Sequence, residues 1–471
     1  MAQYRIFIDG SWREGALGRK PVVSPSTEQA VATVPVAGPR DLDDAIRAAV
    51  RARSEWAGMD AYRRADILRR AAAIIEGKIP DSARRMVKEQ GKTLSEAKGE
   101  LTRAAETFIW AAEHANELCK PFNLDGRRTL QYSPIGVVAG FTPWNYPAVL
   151  TARKVAPALA AGCTFILKAA EEAPAAAVAI VEALQDAGLP DGVIALVFGE
   201  PPMISTHLLN SPEIRMVSFT GSTRVGKEIA ALAAKNLQSC ALELGGHSPV
   251  LVFEDSDIEG AARAICEYKF EYAGQSCNAP SRIFVHRSRY EELIRELVKF
   301  AKNIRVGDAE DPDVDMGPMI GARGLARMKR LLEDAIGKGA LLQLGGQALD
   351  RKGYFWPPTV VSDVPSSALV MSEEPFGPIL PVAPFDTLEE AIKLANSTAY
   401  GLASYVFSSS PQTRNTVAKR LEFGSVSINM LKGVSPDVPN PGIKDSGLGH
   451  EGGVEGFRAF QNVKLINNIE N

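Results

Sequence analysis

The chain holds 471 residues, 45% hydrophobic and 23% charged, a soluble-globular balance that excludes a disordered or fibrous protein. Lys plus Arg number 53 against 56 Asp plus Glu, and this formal charge of −3 gives no electrostatic case for a nucleic acid or membrane partner. The 5 cysteines are an odd number and widely spread, so they form no disulfide framework and point to a reducing compartment.

The N-terminal segment MAQYRIFIDGSW lacks the basic-then-apolar pattern of a targeting signal, and cytoplasm is the expected location. From Pro39 to about Leu118, apolar residues recur at three- and four-residue spacing, which predicts amphipathic helices, the first capped by Asp41. The texture then changes. IGVVAGFTPW, TFILKAA, GVIALVFG, RMVSFTGS and CALELGG are short β-rich runs separated by helical stretches such as AAVAIVEALQDAGL, the pattern of βαβ units on a parallel sheet. The most apolar run, Val155 to Leu167, is far shorter than the roughly 20 residues of a membrane helix.

A second alternating series begins near Pro249: strand SPVLVFED, helix DIEGAARAICEYKFEYAG ending near Gly274, strand SRIFVHRS, helix RYEELIRELVKFAKNI. The Gly- and Pro-rich GVSPDVPNPGIKDSGLGHEGG predicts a long functional loop. The final AFQNVKLINNI predicts a strand with no partner next to it in sequence, which needs a sheet to join on this chain or on another subunit. Two alternating series of strands and helices make the expected fold class α/β.

Several motifs fall short of familiar chemistry. Gly221 to Lys227 resembles a phosphate loop, but Glu228 stands where Ser or Thr would hold magnesium. Free amides at that helix start still suit a pyrophosphate. Gly246-His247-Ser248-Pro249-Val250 lacks the final glycine of a serine nucleophile elbow. The five histidines show no metal spacing and there is no CxxC, so no metal is expected. Cys163, Cys240 and Cys266 sit in apolar runs and read as small buried hydrophobes, and Cys119 lies near a helix end. Cys277, in Ala273-Gly274-Gln275-Ser276-Cys277-Asn278, lies in a polar turn that can present a thiol.

Phe141-Thr142-Pro143-Trp144-Asn145-Tyr146-Pro147, Phe219-Thr220-Gly221-Ser222, Leu242-Glu243-Leu244-Gly245-Gly246, Gly274-Gln275-Ser276-Cys277 and Glu374-Pro375-Phe376-Gly377-Pro378 occur in that order. This set resembles the NAD(P)-dependent aldehyde dehydrogenase superfamily over nearly the whole chain, nearest its succinate-semialdehyde dehydrogenase branch. The resemblance implies oxidation of an aldehyde to its acid. Cys277 would add to the carbonyl to give a thiohemiacetal, with the Asn145 amide and the Cys277 N–H as oxyanion donors. Glu243 would activate water against the resulting thioester. Lys154 and Glu451 match proton-relay positions. Thr142, Pro143, Trp144, Phe219, Gly221, Ser222 and Gly245 match cofactor-binding positions, and Glu374 and Phe376 would hold the nicotinamide end. Lys168 and Glu171 would meet the adenosine ribose, and a carboxylate at Glu171 favours NAD over NADP. The resemblance also implies three parts, a Rossmann-like NAD-binding domain (1–121 and 135–245), an α/β catalytic domain (246–445) and a small β oligomerisation element (122–134 and 456–471) in which the segment near Phe122–Pro134 pairs with the terminal strand, and a homodimer or homotetramer. The other function classes are a non-catalytic structural homologue and a thiol esterase.

Three departures stand out. Lys168-Ala169-Ala170-Glu171 lacks the family's proline after the lysine, and Pro439-Asn440-Pro441-Gly442 replaces Pro-Phe-Gly-Gly. Arg153 matches one arginine that the succinate-semialdehyde group uses to grip its substrate's carboxylate, but the second position holds Glu271. A glutamate there would repel a carboxylate unless paired. The expected substrate is therefore a neutral, aromatic or amino aldehyde, with succinate semialdehyde or a related semialdehyde as the alternative.

Overall fold

The computed structural model describes residues 1–468. Short strands at 2–3, 6–8, 11–13, 19–23 and 30–35 lead into three long helices: α1 (Pro39–Gly58), α2 (Ala61–Gln90) and α3 (Leu94–Cys119). The Asp60 side chain caps α2, which ends at Gly91 in the left-handed region (φ +70°). Thr93 and Glu96 form a reciprocal capping box that starts α3 two residues later. This tight α2–α3 turn lies against the centre of the molecule.

Five parallel strands follow with their crossover helices: β1 (Val137–Phe141), α4 (Pro147–Ala161), β2 (Thr164–Lys168), α5 (Pro174–Asp186), β3 (Ile194–Val197), α6 (Pro201–Asn210), β4 (Ile214–Thr220), α7 (Thr223–Ala234) and β5 (Ser239–Glu243). Their order in the sheet is β3-β2-β1-β4-β5. The direction of winding reverses between β1 and β4, and such a switch point opens a crevice at the carboxyl ends of the strands. Short antiparallel strands extend this sheet: 6–8 and 11–13 beyond β3, and 447–448 beside β5.

A second sheet is built from β6 (Ser248–Val252), α8 (Ile258–Lys269), β7 (Pro280–His286), α9 (Tyr290–Lys302), β8 (Thr359–Ser362), β9 (Ile379–Phe385), β10 (Ala403–Phe407) and β11 (Ser425–Ile428). Its parallel strands run in the order β8-β9-β7-β6-β10-β11, with 341–344 as an antiparallel edge. Each sheet has its own apolar core, one around the first sheet and α1–α7, the other around β6–β11. The chain passes directly from the carboxyl end of β5 to the amino end of β6, so the carboxyl ends of the first sheet meet the amino ends of the second.

Two details differ from the sequence reading. Helix α8 stops at Lys269 instead of near Gly274, because Tyr272 and Ala273 adopt left-handed backbone (φ +47° and +51°) that no α-helix carries. Helix α1 begins at Pro39 with Gly38 as its N-cap residue, so Asp41 lies in its first turn and accepts from the Gly38 N–H at 2.9 Å instead of capping the helix itself. The terminal strand joins the small β element as expected: 461–467 pairs antiparallel with 128–134, which pairs with 122–125, while Ile469 lies outside the described residues. This three-stranded sheet leaves Phe122, Val463 and Leu465 more than half exposed, at 58%, 60% and 52%. Among the described residues no helix is long and apolar enough to cross a membrane.

Candidate active site

The segments named by the sequence converge where the two sheets meet. Thr142, Pro143 and Trp144 leave the end of β1, Lys168 ends β2, Gly221 and Ser222 leave β4, and Gly245 and Gly246 leave β5. Opposite them, Cys277 precedes β7, and Glu374 and Phe376 precede β9. A Cβ at Gly246 would lie 2.2 Å from the Cys277 carbonyl oxygen, so only glycine lets the two segments pass this closely.

A cavity of about 500 Å³ opens beside Cys277. Asn145, Tyr146, Arg153, Tyr268, Glu271 and Asn440 line it, among others. The Asn145 Nδ2 donates to the Gln275 carbonyl at 3.1 Å, which brings the amide to the loop that carries Cys277. Its Oδ1 is buried with no partner among the described residues. Cys277 is half-buried, and burial, followed by the carboxylates Glu374 and Glu243, pushes its thiol up to about 12.

Glu243 is buried at the end of β5. Burial and the nearby Glu451 hold its carboxyl well above the usual range, while Lys154 and Arg153 oppose that shift. Asn440 Nδ2 donates to Glu243 Oε2 at 3.3 Å, and the Asn440 N–H donates to the Glu451 carbonyl at 2.8 Å. The Pro-Asn-Pro-Gly segment therefore places a polar donor against Glu243. Sequence reading marked the departure but missed this contact, since nothing local signals it. Lys154 and Glu451 are both buried and form an ion pair, although they stand 297 residues apart. Removing either partner would strand the other charge away from water, at a cost of about 3–5 kcal/mol.

Arg153 is buried and donates to the Ser435 carbonyl at 2.8 Å, with Glu451 and Glu243 beside it. Glu271 is not an isolated charge: Lys432 lies 2.5 Å from its carboxylate, and the Tyr146 hydroxyl donates to it at 3.5 Å. The repulsion expected from an unpaired Glu271 is thus largely cancelled. Arg103, which sequence reading missed, joins Glu271 and Lys432 in lining both this cavity and a second one adjoining it.

The crevice side suits a dinucleotide. Thr142 Oγ1 is buried without a hydrogen-bond partner among the described residues. A Cβ at Gly245 would lie 2.8 Å from Glu374 Oε2, so glycine there leaves room for that carboxylate beside the loop. The Ser222 hydroxyl caps α7 by accepting from the Val225 N–H at 3.4 Å, and that helix start presents its positive end to the crevice. The Gly221 N–H donates to the Glu243 carbonyl, and Phe219 packs at 6.3 Å on Phe141 beneath. Glu374 accepts from the Gly246 N–H at 3.1 Å, and burial pushes its carboxyl up to about 7. Phe376, in left-handed backbone (φ +48°), meets Trp144 edge-on at 5.6 Å. At the far end Lys168 and Glu171 form an ion pair at 2.8 Å, and Glu171 accepts from the Gly199 N–H at 2.6 Å.

The remaining motifs are structural. Ser248 is fully buried and His247 is hydrogen-bonded to Ser281, which closes the nucleophile-elbow reading. Cys163 and Cys266 are buried, as the apolar runs predicted, whereas Cys240 and Cys119 are half-buried.

With this geometry in hand, comparison with known proteins is direct. The profile of the Aldehyde dehydrogenase family matches residues 12–466. The 4-(hydroxymethyl)benzenesulfonate dehydrogenase TsaD1 of Comamonas testosteroni is 39% identical over 469 residues, covering 98% of each chain. The NADP(+)-dependent succinate-semialdehyde dehydrogenase GabD of Escherichia coli is 37% identical, covering 98% of this chain and 97% of its own. A crystal structure of an Escherichia coli NADP-dependent enzyme superposes with a TM-score of 0.96 at 36% identity, covering 99% of this chain and 98% of that one. The family comprises oxidoreductases that act on small aldehydes with NAD or NADP and are typically oligomeric. The chain belongs to the aldehyde dehydrogenase family.

Proposed function

We propose that the protein oxidises an aldehyde to its carboxylic acid through a covalent intermediate on Cys277. The observation that carries this reading is convergence: Cys277 and Asn145 open on one cavity, and Glu243 is fixed beside it by Asn440. The Cys277 thiol gives up its proton to water at the mouth of the cavity and its sulfur adds to the aldehyde carbon, forming a thiohemiacetal. The Asn145 amide and the Cys277 N–H donate to the oxyanion, a role whose loss costs about 100–1000-fold. A dinucleotide held by the crevice residues supplies the hydride acceptor. Glu243 then takes a proton from the water that attacks the Cys277 thioester, and the acid leaves.

Glu171 and Lys168 support NAD as the preferred form. A carboxylate beside the ribose accepts from its hydroxyls and opposes a 2′-phosphate. Wild-type enzyme is expected to show a higher kcat/KM with NAD than with NADP, and Glu171→Ala to narrow that ratio about tenfold, read with the other substrate saturating. A preference for NADP in the wild type would contradict this assignment, and two relatives of the chain are named for NADP.

The cavity supports an aromatic aldehyde with a polar far end. Tyr146, Tyr268, Val149, Leu150 and Met430 supply an apolar wall for a ring, and Arg103, Glu271 and Lys432 supply the polar group beyond it. The relative named for a benzenesulfonate favours the same class. Because Lys432 pairs with Glu271, the cavity does not exclude an acidic substituent. We expect 4-substituted benzaldehydes to exceed succinate semialdehyde by about tenfold or more in kcat/KM, the scale of one well-filled apolar contact. A tenfold preference for succinate semialdehyde would reverse the assignment.

The exposed apolar strip on 122–134 and 461–467 is the surface we assign to contact between copies of the chain. Light scattering should give a dimer or tetramer mass that falls for Val463→Asp, and a monomeric wild type would refute the assignment.

A further inference from the structure

One group of buried polar side chains takes no part in the chemistry above. The α2–α3 turn and the start of α3 carry Gln90, Lys92, Glu96 and Glu100, of which Gln90, Lys92 and Glu100 are essentially inaccessible to solvent. Each reaches one of two segments. Toward the segment after β1, Gln90 Nε2 donates to the Trp144 carbonyl at 3.2 Å, and Lys92 Nζ donates to the Asn145 carbonyl at 2.7 Å. Glu100 pairs with Lys92, and its Oε1 accepts from the Ala148 and Val149 N–H groups at 2.7 and 3.3 Å. Those are first-turn donors of α4, whose N-cap residue Tyr146 offers no side-chain cap. Toward the Cys277 loop, Glu96 Oε1 accepts from the Tyr272 N–H at 2.7 Å, and the Tyr272 hydroxyl donates to the Gln90 carbonyl at 3.1 Å.

Lys92 Nζ also stands 4.0 Å from the Tyr146 ring centre and 4.3 Å from that of Tyr272, joining the two segments through one cation. The left-handed backbone at Tyr272 and Ala273 is strained for non-glycine residues and persists only where its surroundings hold it. Three residues after Tyr272, the Gln275 carbonyl accepts from Asn145 Nδ2, and Cys277 follows.

We propose that residues 90–100 act as a buried jig that sets the position of the Asn145 amide relative to Cys277, making Lys92, Gln90 and Glu96 positioning residues. This rests on the role given to Asn145 and Cys277 above. A jig acts through the groups it holds, so its effect should vanish when they are gone.

The test is a kinetic double-mutant cycle with two readouts. Lys92→Met should lower kcat about 100-fold, the cost of a misplacement near 1 Å, while KM for the dinucleotide stays within about twofold. In an Asn145→Ala background the same substitution should cost less than about threefold. Full additivity of the two losses would overturn the proposal. Gln90→Met, which removes only the contact to the Trp144 carbonyl, keeps the test open should Lys92→Met fail to fold: a loss of about tenfold with the same non-additivity is expected, and an additive or absent loss overturns the jig. The second readout is the alkylation rate of Cys277 by iodoacetamide in the same variants. A change of about fivefold or more supports the jig, and an unchanged rate overturns it. If Asn145→Ala alone left kcat intact, the oxyanion assignment would fall, while the alkylation rates would still decide the jig.

Discussion

Cys277→Ala is expected to lose aldehyde oxidation by about four orders of magnitude or more, because without the thiol the aldehyde carbon never reaches the tetrahedral state from which hydride leaves. The change removes one sulfur from a half-buried position, so the fold and the crevice should survive it. Dinucleotide binding, followed by protein fluorescence, should stay within about twofold of wild type. Any hydrolysis of activated esters should disappear in the same variant, since the acyl-enzyme step is shared. Cys119, Cys163, Cys240 and Cys266 are free thiols on other elements, and burial raises the proton affinity of each. Their alanine variants should keep activity. Oxidation persisting in Cys277→Ala would remove the nucleophile from the account.

Glu243→Gln should separate the two halves of the reaction. A glutamine accepts no proton from water, so thioester hydrolysis should slow by about 100- to 10,000-fold. Hydride transfer needs no second base once the thiolate has formed, so one equivalent of reduced dinucleotide should appear per site before turnover stalls. The pH dependence follows from the raised carboxyl of Glu243. Burial and Glu451 favour its protonated form, and only the deprotonated form acts as base, so the hydrolytic rate rises with pH and falls away on the acid side. The Asn440 amide donates to the charged form and favours it. Asn440→Leu should therefore move the rise to higher pH, and Glu451→Gln, which removes a like charge, should move it to lower pH. A profile unchanged in both variants would show that another group serves as base.

Much of this was legible in the sequence, for physical reasons. The alternation of β-rich and amphipathic runs from 137 to 243 follows directly from the demand that a parallel sheet be buried on both faces, and the strands lie where those runs are. Their order in the sheet was not legible, because neighbours such as β1 and β4 are chosen by long-range packing. The overlong reading of α8 has the same origin: Glu96, on a distant helix, accepts the Tyr272 N–H and holds a backbone that local periodicity would continue as helix. Charges misled most. Lys154 and Glu451 matched proton-relay positions, but nothing local showed that they are buried as an ion pair with each other. Glu271 looked repulsive to an acidic substrate until Lys432 came to its side. Asn440 was visible only as a departure from a pattern, and its meaning lies in the carboxylate it meets.

The central claim is that the substrate's acyl group passes through Cys277. The most direct test mixes Glu243→Gln enzyme with an aromatic aldehyde and NAD, quenches in acid within the first turnover, and maps peptides by mass. The acyl group is expected on the peptide holding Cys277, at about one per chain. Full turnover with every cysteine peptide unmodified, or an acyl group on a different cysteine, would contradict it.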